Sequence, residues 1–363
     1  MRKLLSTTFS CKKLRAWIVT GLALLLCVCS IACNHGAYPA THTFPNVKAQ
    51  FVNERTGWIV GPRVFRTQDG GNSWKMIRAD GPGTIVTETI DNEQRRVQFV
   101  DERVGFFLDR KRVIYKTQDG GETWSITVSP AVQDEKENFH TIFFLSPTKG
   151  WVLGKNVYRT DDGAVTWTRL GPTPLEDNTR TEKPAIADGY PPAVSFLNDR
   201  IVVLVRKDGD VHRSEDGGAT WRRVWSVNNF LTNVRFLNDK AGWLVGANGF
   251  AGRTTDGGVT WEQVKTPTSA QLSDVFFLND KKGWAVGHDG AIIYTTDGGT
   301  SWLNAHVKVD GFKTYLANVY FVDEKRGWAV GGKPFDEIAP TSKSSNLILE
   351  TQDGGETWTP RNL

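Results

Sequence analysis

Short apolar runs alternate with polar turns along most of the chain. From about residue 47 onward, runs of four to six mostly apolar residues are separated by clusters of glycine, asparagine and aspartate. Runs this short, rich in valine, phenylalanine and tryptophan, predict β-strands rather than helices. The first run of each group, such as VQFV or IFFL, is apolar at nearly every position, which is typical of a strand packed on both faces.

The strands recur as seven copies of one unit, most clearly in VFFLNDKKGWAVGHDGAIIYTTDGGTSW over residues 275–302. A phenylalanine opens the copies at Phe51, Phe99, Phe144, Phe196, Phe236, Phe277 and Phe321. Seven residues later stand Trp58, Phe106, Trp151, Val203, Trp243, Trp284 and Trp328. The copies close with Trp74, Trp124, Trp167, Trp221, Trp261, Trp302 and Trp358. Four short strands per unit of about 40–50 residues predict an all-β fold, a seven-bladed β-propeller with four antiparallel strands per blade.

A turn of fixed composition precedes each closing tryptophan. In TTDGGTSW, Thr295 and Asp297 can accept backbone N–H bonds, and Gly298 and Gly299 can adopt the positive φ of a tight turn. The equivalent pairs are Thr67/Asp69, Thr117/Asp119, Thr160/Asp162, Ser214/Asp216, Thr254/Asp256 and Thr351/Asp353. We therefore expect the same turn in all seven blades.

This turn resembles the Asp-box, or bacterial neuraminidase repeat, S/T-x-D-x-G-x-T-W. Joined to F-x-D-x-x-x-G-W-x-V-G, it resembles the photosystem II assembly and stability factor family over residues 47–358. The resemblance implies a seven-bladed propeller without a catalytic role that helps newly made reaction-centre protein to assemble, lipid-anchored on the lumenal side of the thylakoid in cyanobacteria. Similar repeats occur in bacteria without a photosystem, so the partner depends on the host. Blade four departs from the pattern at Val203 and Arg206, and blade three at Ala164.

The first 32 residues have the layout of a secretory signal, with a basic stretch over 2–15 and an apolar stretch over 16–32. Cys33 follows the small Ala32, which predicts a bacterial lipoprotein signal with lipidation of Cys33, although Ser30 stands where leucine is usual. We expect a signal peptide over 1–32, a short tether over 33–46 and the propeller over 47–363. Simple cleavage after Ala32 and an uncleaved anchor are the alternatives. All three place the propeller outside the cytoplasm, at the periplasm or cell surface, or on the lumenal side in a cyanobacterium.

Charge and cysteine content limit the partners, metals and cofactors that we expect for this protein. The net charge is +4, but five bases lie in the leader, which leaves 39 basic and 40 acidic residues in the rest. A nucleic-acid-binding domain is usually basic, so we expect no nucleic-acid partner. All four cysteines fall within the first 33 residues and the six histidines are scattered. We therefore expect no metal site and no cofactor.

Two surfaces are candidates for binding. The links between blades and the loops between second and third strands share one face, here called the loop face. All large differences in loop length between the blades lie on this face, including the insertion Gly332–Asn346 of blade seven. Loops on a rigid scaffold often carry binding. The Asp-box turns lie on the opposite face, the Asp-box face.

A recurring base marks the Asp-box face. It precedes the Thr or Ser of five turns, and this set, the basic arc, is Arg66, Lys116, Arg159, Arg213 and Arg253. Arginine suits carboxylate recognition, so we expect the arc to bind an acidic or C-terminal carboxylate segment of a membrane protein. In a phototroph that protein would be a photosystem II reaction-centre subunit. Local pairing of the bases with neighbouring acids is the alternative. We expect the protein to be a monomer, tied to the membrane by its lipid anchor.

Two other functions compete with this interpretation. The first is an enzyme, because sialidase-like glycoside hydrolases share the Asp-box, and the second is a glycan- or peptide-binding receptor. A sialidase needs an arginine trio, a Tyr–Glu nucleophile pair and an aspartic acid. Tyr115, Tyr158 and Tyr294 are predicted to lie far from the loop face, and only Tyr190 and Tyr315 are predicted in loops that reach it. We therefore assign no catalytic residues and expect no enzymatic activity.

Overall fold

A computed structural model describes residues 48–60, 64–77, 96–109, 112–130, 137, 139–176, 192–308, 314–332 and 347–361. The chain divides into two units, Met1–Pro39 and Ala40–Leu363, and every described residue belongs to the second. Cys33 and the leader lie outside the described residues.

Seven sheets form seven blades, as the repeat predicts. Blade one contains Lys48–Phe51, Gly57–Val60, Val64–Thr67 and Lys75–Ile77; blade two contains Arg96–Phe99, Gly105–Leu108, Ile114–Thr117 and Ser125–Ile126. Blade three contains Thr141–Phe144, Gly150–Leu153, Asn156–Thr160 and Thr168–Pro172; blade four contains Ala193–Phe196, Val202–Val205, Asp210–Ser214 and Arg222–Ser226. Blade five contains Leu231–Phe236, Gly242–Gly246, Ala251–Thr254 and Glu262–Val264; blade six contains Leu272–Phe277, Gly283–Gly287, Ile292–Thr295 and Leu303–Asn304. Blade seven contains Tyr315–Phe321, Gly327–Gly332, Leu347–Thr351 and Thr357–Arg361. Short 3₁₀ turns occupy Pro174–Glu176, Ala247–Gly249 and His288–Gly290.

Within each blade the four strands pair in chain order and antiparallel. Blade seven gains a fifth strand that the repeat did not predict. His306–Val307, from the link after blade six, pairs in parallel with Thr357 and Trp358 at the outer edge. The link between blades six and seven is thereby tied to the last blade.

The first strands lie nearest the middle of the ring, because their side chains bridge to the next blade's first strand. The Gln50 amide donates to the Phe99 carbonyl at 2.6 Å and accepts from the Phe99 N–H at 3.1 Å. Gln98 repeats both bonds with Phe144 of blade three, at 2.8 and 2.7 Å. These paired bonds act like one rung of a sheet between separate blades.

Aromatic stacks fill the interfaces between blades. Six of the seven opening phenylalanines pack on the second-strand aromatic residue of the preceding blade, and the ring centroids are 3.4 Å apart for both Trp243–Phe277 and Trp284–Phe321. The exception is Phe236, which lies in one cluster with Val203 of blade four. The second-strand tryptophans are the most deeply buried: Trp58, Trp151, Trp243, Trp284 and Trp328 are at most 3% exposed. The closing tryptophans of the first five blades are only half-buried. The second strand therefore supplies the main core residue of each interface.

The ring closes where blade seven meets blade one. Phe51 stacks on Trp328 at 4.9 Å and on Tyr320 at 5.3 Å. The Tyr320 hydroxyl donates to the Phe51 carbonyl at 3.0 Å, and the Ala49 N–H donates to Asn318 Oδ1 at 2.9 Å. Packing and a few hydrogen bonds thus join the first and last blades.

Candidate functional site

The Asp-box turns have the predicted geometry. Thr295 Oγ1 accepts the Gly299 N–H at 2.9 Å and donates to Asp297 Oδ1 at 2.8 Å. Asp297 also accepts the Ser301 N–H at 2.9 Å. Gly298 and Gly299 have φ of 73° and 84°, the left-handed region that favours glycine. Equivalent bonds recur in the other six blades.

These bonds favour the charged form of each aspartate. The hydroxyl and backbone N–H of Ser73 lower the pKa of Asp69 to about 2, and those of Thr166 do the same for Asp162. The pKa of Asp297 is lowered by the same two groups of Ser301. In the other four boxes burial raises the pKa, but hydrogen bonds from the turn outweigh it and the pKa is lowered. The aspartates therefore act as hydrogen-bond acceptors of the turns, a structural role.

A second turn, which the sequence analysis missed, lies beside every Asp-box. It joins the first and second strands and begins with a side-chain oxygen that accepts N–H groups two and three residues later, as Asn279 does from Lys281 and Lys282 at 3.0 and 2.8 Å. The acceptors are Asn53, Asp101, Ser146, Asn198, Asn238, Asn279 and Asp323. The Asn or Asp two residues after six of the seven opening phenylalanines, with Ser146 in blade three, was the available signal.

The two turns of a blade are bonded to each other. The first glycine of every Asp-box donates its N–H to a carbonyl of the neighbouring turn at 2.7–2.9 Å, as Gly298 does to Lys281. The residues that supply these carbonyls are exposed: Arg55, Arg103, Thr148, Arg200, Lys240, Lys281 and Lys325. The Asp-box face is therefore a ring of rigid, paired turns.

The basic arc lies on this face, one residue per blade across blades one to five. Each arc residue pairs in register with the second-strand core residue, as Arg66 does with Trp58 and Arg253 with Trp243. Arg66, Lys116 and Arg159 also lie over the rings of their second-strand aromatics, with the charged group 5.4–5.7 Å from the ring centroid. This position holds the bases close to the sheet rather than extended into solvent.

Four of the five arc residues reach the next blade. Arg66 Nη2 donates to the Glu102 carbonyl at 3.0 Å, and Lys116 Nζ donates to the Gly163 carbonyl at 3.2 Å. Arg213 Nε donates to the Gly257 carbonyl at 2.8 Å, and Arg253 Nη1 to Thr300 Oγ1 at 3.2 Å.

Arg159 instead pairs with Asp161 of its own blade at 2.7 Å. Arg213, which also pairs with Glu215, is only 7% exposed, and the other four are half-buried. Four of the five arc residues therefore link neighbouring blades through hydrogen bonds, whereas Arg159 pairs within its own blade.

The departure in blade four has a local explanation. Arg206, where the repeat has glycine, donates to the Pro174 carbonyl at 2.7 Å and pairs with Asp208 at 2.6 Å. Both side chains are under 9% exposed. The arginine thus links the Pro174–Glu176 turn, which follows the outer strand of blade three, to blade four.

On the loop face, the insertion of blade seven lies between second and third strands, as predicted, because these strands end at Gly332 and begin at Leu347. Residues 333–346 lie outside the described residues. The same holds for the links over 78–95 and 177–191, so this face is described only in part.

The tyrosine placements required corrections. Tyr115 donates to Asp109 Oδ2 at 3.3 Å and Tyr158 donates to Glu137 Oε2 at 3.4 Å, and both acids lie in connections of the loop face. The prediction that these tyrosines lie far from that face was wrong, because the third strand begins there. Tyr315 begins the first strand of blade seven rather than lying in a loop, and Tyr190 lies outside the described residues.

The described residues therefore include a Tyr–Glu pair, Tyr158 and Glu137, that the sequence analysis did not identify. Glu137 is fully buried, Tyr158 is 5% exposed, and the carboxylate also accepts from the Asn156 side chain at 2.8 Å. A substrate cannot reach this pair. It anchors the link between blades two and three.

In the part of the chain that the structure describes, no helix has the length and apolar character needed to cross a bilayer. No group of three or more His, Cys, Asp or Glu side chains in that part is arranged to hold a metal ion.

Together, seven Asp-box blades, stacked aromatic interfaces and a face of paired turns define a seven-bladed propeller of the Asp-box class. The chain belongs to the family described as photosynthesis system II assembly factor YCF48, whose model matches residues 82–226 and 259–336, more than half of the chain. The family's description names an assembly factor and no reaction.

Relatives agree with the family. Photosystem II assembly lipoprotein Ycf48 of Synechococcus sp. (strain CC9902) is 31% identical over 128 residues, 34% of this chain and 34% of the relative. Photosystem II stability/assembly factor HCF136 of Arabidopsis thaliana is 24% identical over 171 residues, 45% of this chain and 37% of the relative. The chain thus aligns with about a third of the length of these curated relatives. A solved structure described as YCF48 bound to D1 peptide has the same fold, with a TM-score of 0.59 and 20% identity over 87% of this chain and 93% of that one.

Proposed function

We propose that this protein is a non-catalytic assembly factor that holds a segment of a membrane protein on the Asp-box face of its propeller. The observation that carries the proposal is the family match, joined to a rigid face on which five bases are set at equivalent positions in consecutive blades. The proposed contact residues are Arg66, Lys116, Arg159, Arg213 and Arg253. No nucleic acid, metal or cofactor has a part in this proposal, and the protein acts as a monomer.

The partner follows from the chemistry of the arc and from the relatives. Guanidinium groups over aromatic rings bind carboxylates well, so an acidic or C-terminal segment is the natural ligand class. The related YCF48 with its bound D1 peptide supports a peptide ligand. In a phototrophic host we propose a photosystem II reaction-centre subunit as the partner.

The membrane anchor is a separate part of the proposal. We propose that residues 1–32 are removed, that Cys33 carries acyl chains, and that residues 33–46 tether the propeller outside the cytoplasm, in the thylakoid lumen if the host is a cyanobacterium. The lipoprotein name of the Synechococcus relative supports this. Mass spectrometry of the mature N-terminus tests it: we expect an acylated Cys33, lost in Cys33→Ser, whereas an unmodified N-terminus at Cys33 would contradict it.

Affinity capture from the host's detergent-solubilised membranes tests the partner proposal. The full chain is compared with the triple variant Arg66→Gln, Arg159→Gln and Arg253→Gln, which spares the buried Arg213. The matched control is Arg55→Gln, Arg103→Gln and Arg200→Gln, which removes three exposed charges from the same face outside the arc.

We expect the full chain and the control to capture one membrane protein, and the arc variant to capture much less of it with weaker salt dependence. Equal capture by the arc variant, together with loss of capture on deletion of residues 333–346, would place binding on the loop face instead.

A further inference from the structure

Seven equivalent side chains surround the middle of the ring at its Asp-box end. They precede the opening phenylalanines, and we call them the channel mouth: Gln50, Gln98, Phe143, Ser195, Arg235, Phe276 and Tyr320. All seven are half-buried, whereas the residue that follows is buried in six of the seven blades. Because the first strands are innermost and end beside the Asp-boxes, these residues form the innermost row of positions at that end of the ring.

Most polar groups of the channel mouth are already bonded. The amides of Gln50 and Gln98 each donate to and accept from the backbone of the next blade. The Tyr320 hydroxyl donates to the Phe51 carbonyl. These groups close the ring and have little capacity left for a ligand.

Arg235 is the single charged residue of the seven. Its Nε lies 3.3 Å from Asp274 Oδ1, and its Nη2 lies 3.5 Å from Asp274 Oδ2. One edge of the guanidinium thereby faces the carboxylate, and its Cζ lies 5.7 Å from the centroid of the Phe276 ring. The side chain remains 30% exposed, and its hydrogen-bonding contacts among the described residues are those to Asp274. The Nη1 edge is therefore available.

The aspartate beneath Arg235 belongs to the scaffold and does not compete for a ligand. Asp274 is 1% exposed and also accepts from Asn233 Nδ2 at 2.6 Å, Asn318 Nδ2 at 2.5 Å and the Val319 N–H at 3.0 Å. Its carboxylate joins blades five, six and seven, so its oxygens are committed. The network fixes the orientation of Arg235 without covering its outer edge.

The wall beside Arg235 is aromatic. Phe276 packs on Tyr320 with centroids 4.6 Å apart, and Tyr320 stacks on Phe51. An arginine with a fixed edge beside an apolar wall binds a carboxylate more strongly than a fully solvated arginine does. Its side chain loses less conformational freedom on binding, and fewer bound water molecules must be displaced.

We propose that the channel mouth binds a peptide carboxylate, with Arg235 as its donor and Phe276 and Tyr320 as the wall that contacts the adjoining peptide. This carboxylate site refines the proposed function, and it rests on that proposed function for the identity of the protein that supplies the peptide. It adds a residue outside the basic arc, at the first strand rather than the third.

Fluorescence anisotropy with a labelled hexapeptide of glycine, serine, alanine and leucine tests this proposal. The peptide is made with a free C-terminal carboxylate and as its C-terminal amide, and is titrated with the purified full chain. We expect the carboxylate form to bind about tenfold more tightly than the amide. Arg235→Gln removes the preference, Arg235→Lys retains part of it, and the control Arg55→Gln leaves it unchanged.

Two results would overturn the proposal: equal affinity of the two peptides for the unaltered chain, or an undiminished preference in a folded Arg235→Gln variant. Circular dichroism checks that each variant folds. If Arg235→Gln does not fold, the peptide preference of Arg235→Lys is measured in its place. If the peptide preference depends on Arg235 while no membrane protein is captured, the partner proposal fails and the carboxylate site stands.

Discussion

The indole nitrogen of Trp284 donates a 2.8 Å hydrogen bond to the carbonyl oxygen of Gly354, a residue 70 positions later in the chain. Trp58 makes the same bond to Gly120 and Trp243 makes it to Gly298, at 2.9 and 3.2 Å. The acceptor is in each case the first glycine of the next blade's Asp-box. In these three interfaces the Asp-box turn presents a backbone carbonyl to the buried tryptophan of the preceding blade, which couples the turn to ring assembly. Among the described residues, the indole nitrogens of Trp151 and Trp328 make no such bond.

Replacing Trp284 tests this coupling. Trp284→Phe retains the stack on Phe321 but loses the hydrogen bond and part of the buried ring, so we expect a loss of about 1–3 kcal/mol in the free energy of unfolding. Guanidinium chloride denaturation measures it. The control is Trp261→Phe, because Trp261 is half-buried and its Nε1 bonds to no described residue. Equal effects of the two substitutions would show that the bond to Gly354 contributes nothing.

Blade three allows a compensation test. Ala164 has φ of 72° where other blades have glycine, and it packs in one cluster with Phe106 of blade two. In three interfaces whose preceding blade has tryptophan, as with Trp328 beside Gly71, a Cβ at the equivalent glycine would overlap the tryptophan ring. Ala164 is therefore compatible with the smaller ring of Phe106.

We expect Phe106→Trp alone to destabilise the protein by about 1–3 kcal/mol through overpacking, and Ala164→Gly to restore most of that loss in the double variant. Thermal or denaturant unfolding of the four proteins of the cycle gives the coupling energy. Additive effects of the two substitutions would argue against direct contact between these positions.

Lowering the pH should destabilise the propeller over a defined pH range. The Asp-box carboxylates have pKa values below the usual value of 3.8, about 2 for Asp69, Asp162 and Asp256. A lowered pKa in the folded state means that the unfolded state takes up protons first as the pH falls. The stability that these groups contribute is present above about pH 4 and is lost between about pH 4 and 2.

Urea midpoints measured from pH 6 to 2 test this expectation. The midpoint should be flat above pH 5 and fall below pH 4, and Asp297→Asn should make the fall shallower. Asp274 acts in the opposite sense, because burial raises its pKa and protonation on acidification favours the folded state. A midpoint that rises steadily to pH 2 would contradict the role assigned to the turns.

Arc residues should differ in their structural contribution. Arg213 is 7% exposed and donates to the Gly257 carbonyl of blade five, whereas Arg159 pairs with Asp161, which is 59% exposed. Arg213→Ala should lower the free energy of unfolding by about 1–3 kcal/mol, since it leaves a buried acceptor unbonded, and Arg159→Ala by less than about 1 kcal/mol. Denaturant unfolding compares them. A larger loss from Arg159→Ala would reverse this account.

Much of the fold follows from spacing alone. The opening phenylalanine, the second-strand tryptophan and the Asp-box recur at nearly constant intervals, so they fix the number of blades and the face of each turn. The extra strand His306–Val307 could not be predicted, because its pairing with Thr357 and Trp358 depends on the path of one link and has no repeat signature.

The candidate surfaces were harder to predict. Sequence placed the basic arc on the Asp-box face, but not its bonds to the next blade, because those depend on how close successive blades approach. The position of Arg235 looked unremarkable in sequence, since the residue before each opening phenylalanine varies in type. Only the ring geometry brings these residues to equivalent positions around the middle of the ring.

Site-specific photo-crosslinking in the host tests the central claim most directly. A photoreactive residue is placed at Gln118, which is exposed in the Asp-box of blade two, or at Leu303, which is 53% exposed on the outer strand of blade six. We predict a crosslink from position 118 to one membrane protein, a photosystem II subunit in a phototroph, and no such product from position 303. Crosslinks to that protein only from position 303, or none from position 118, would contradict partner binding on the Asp-box face.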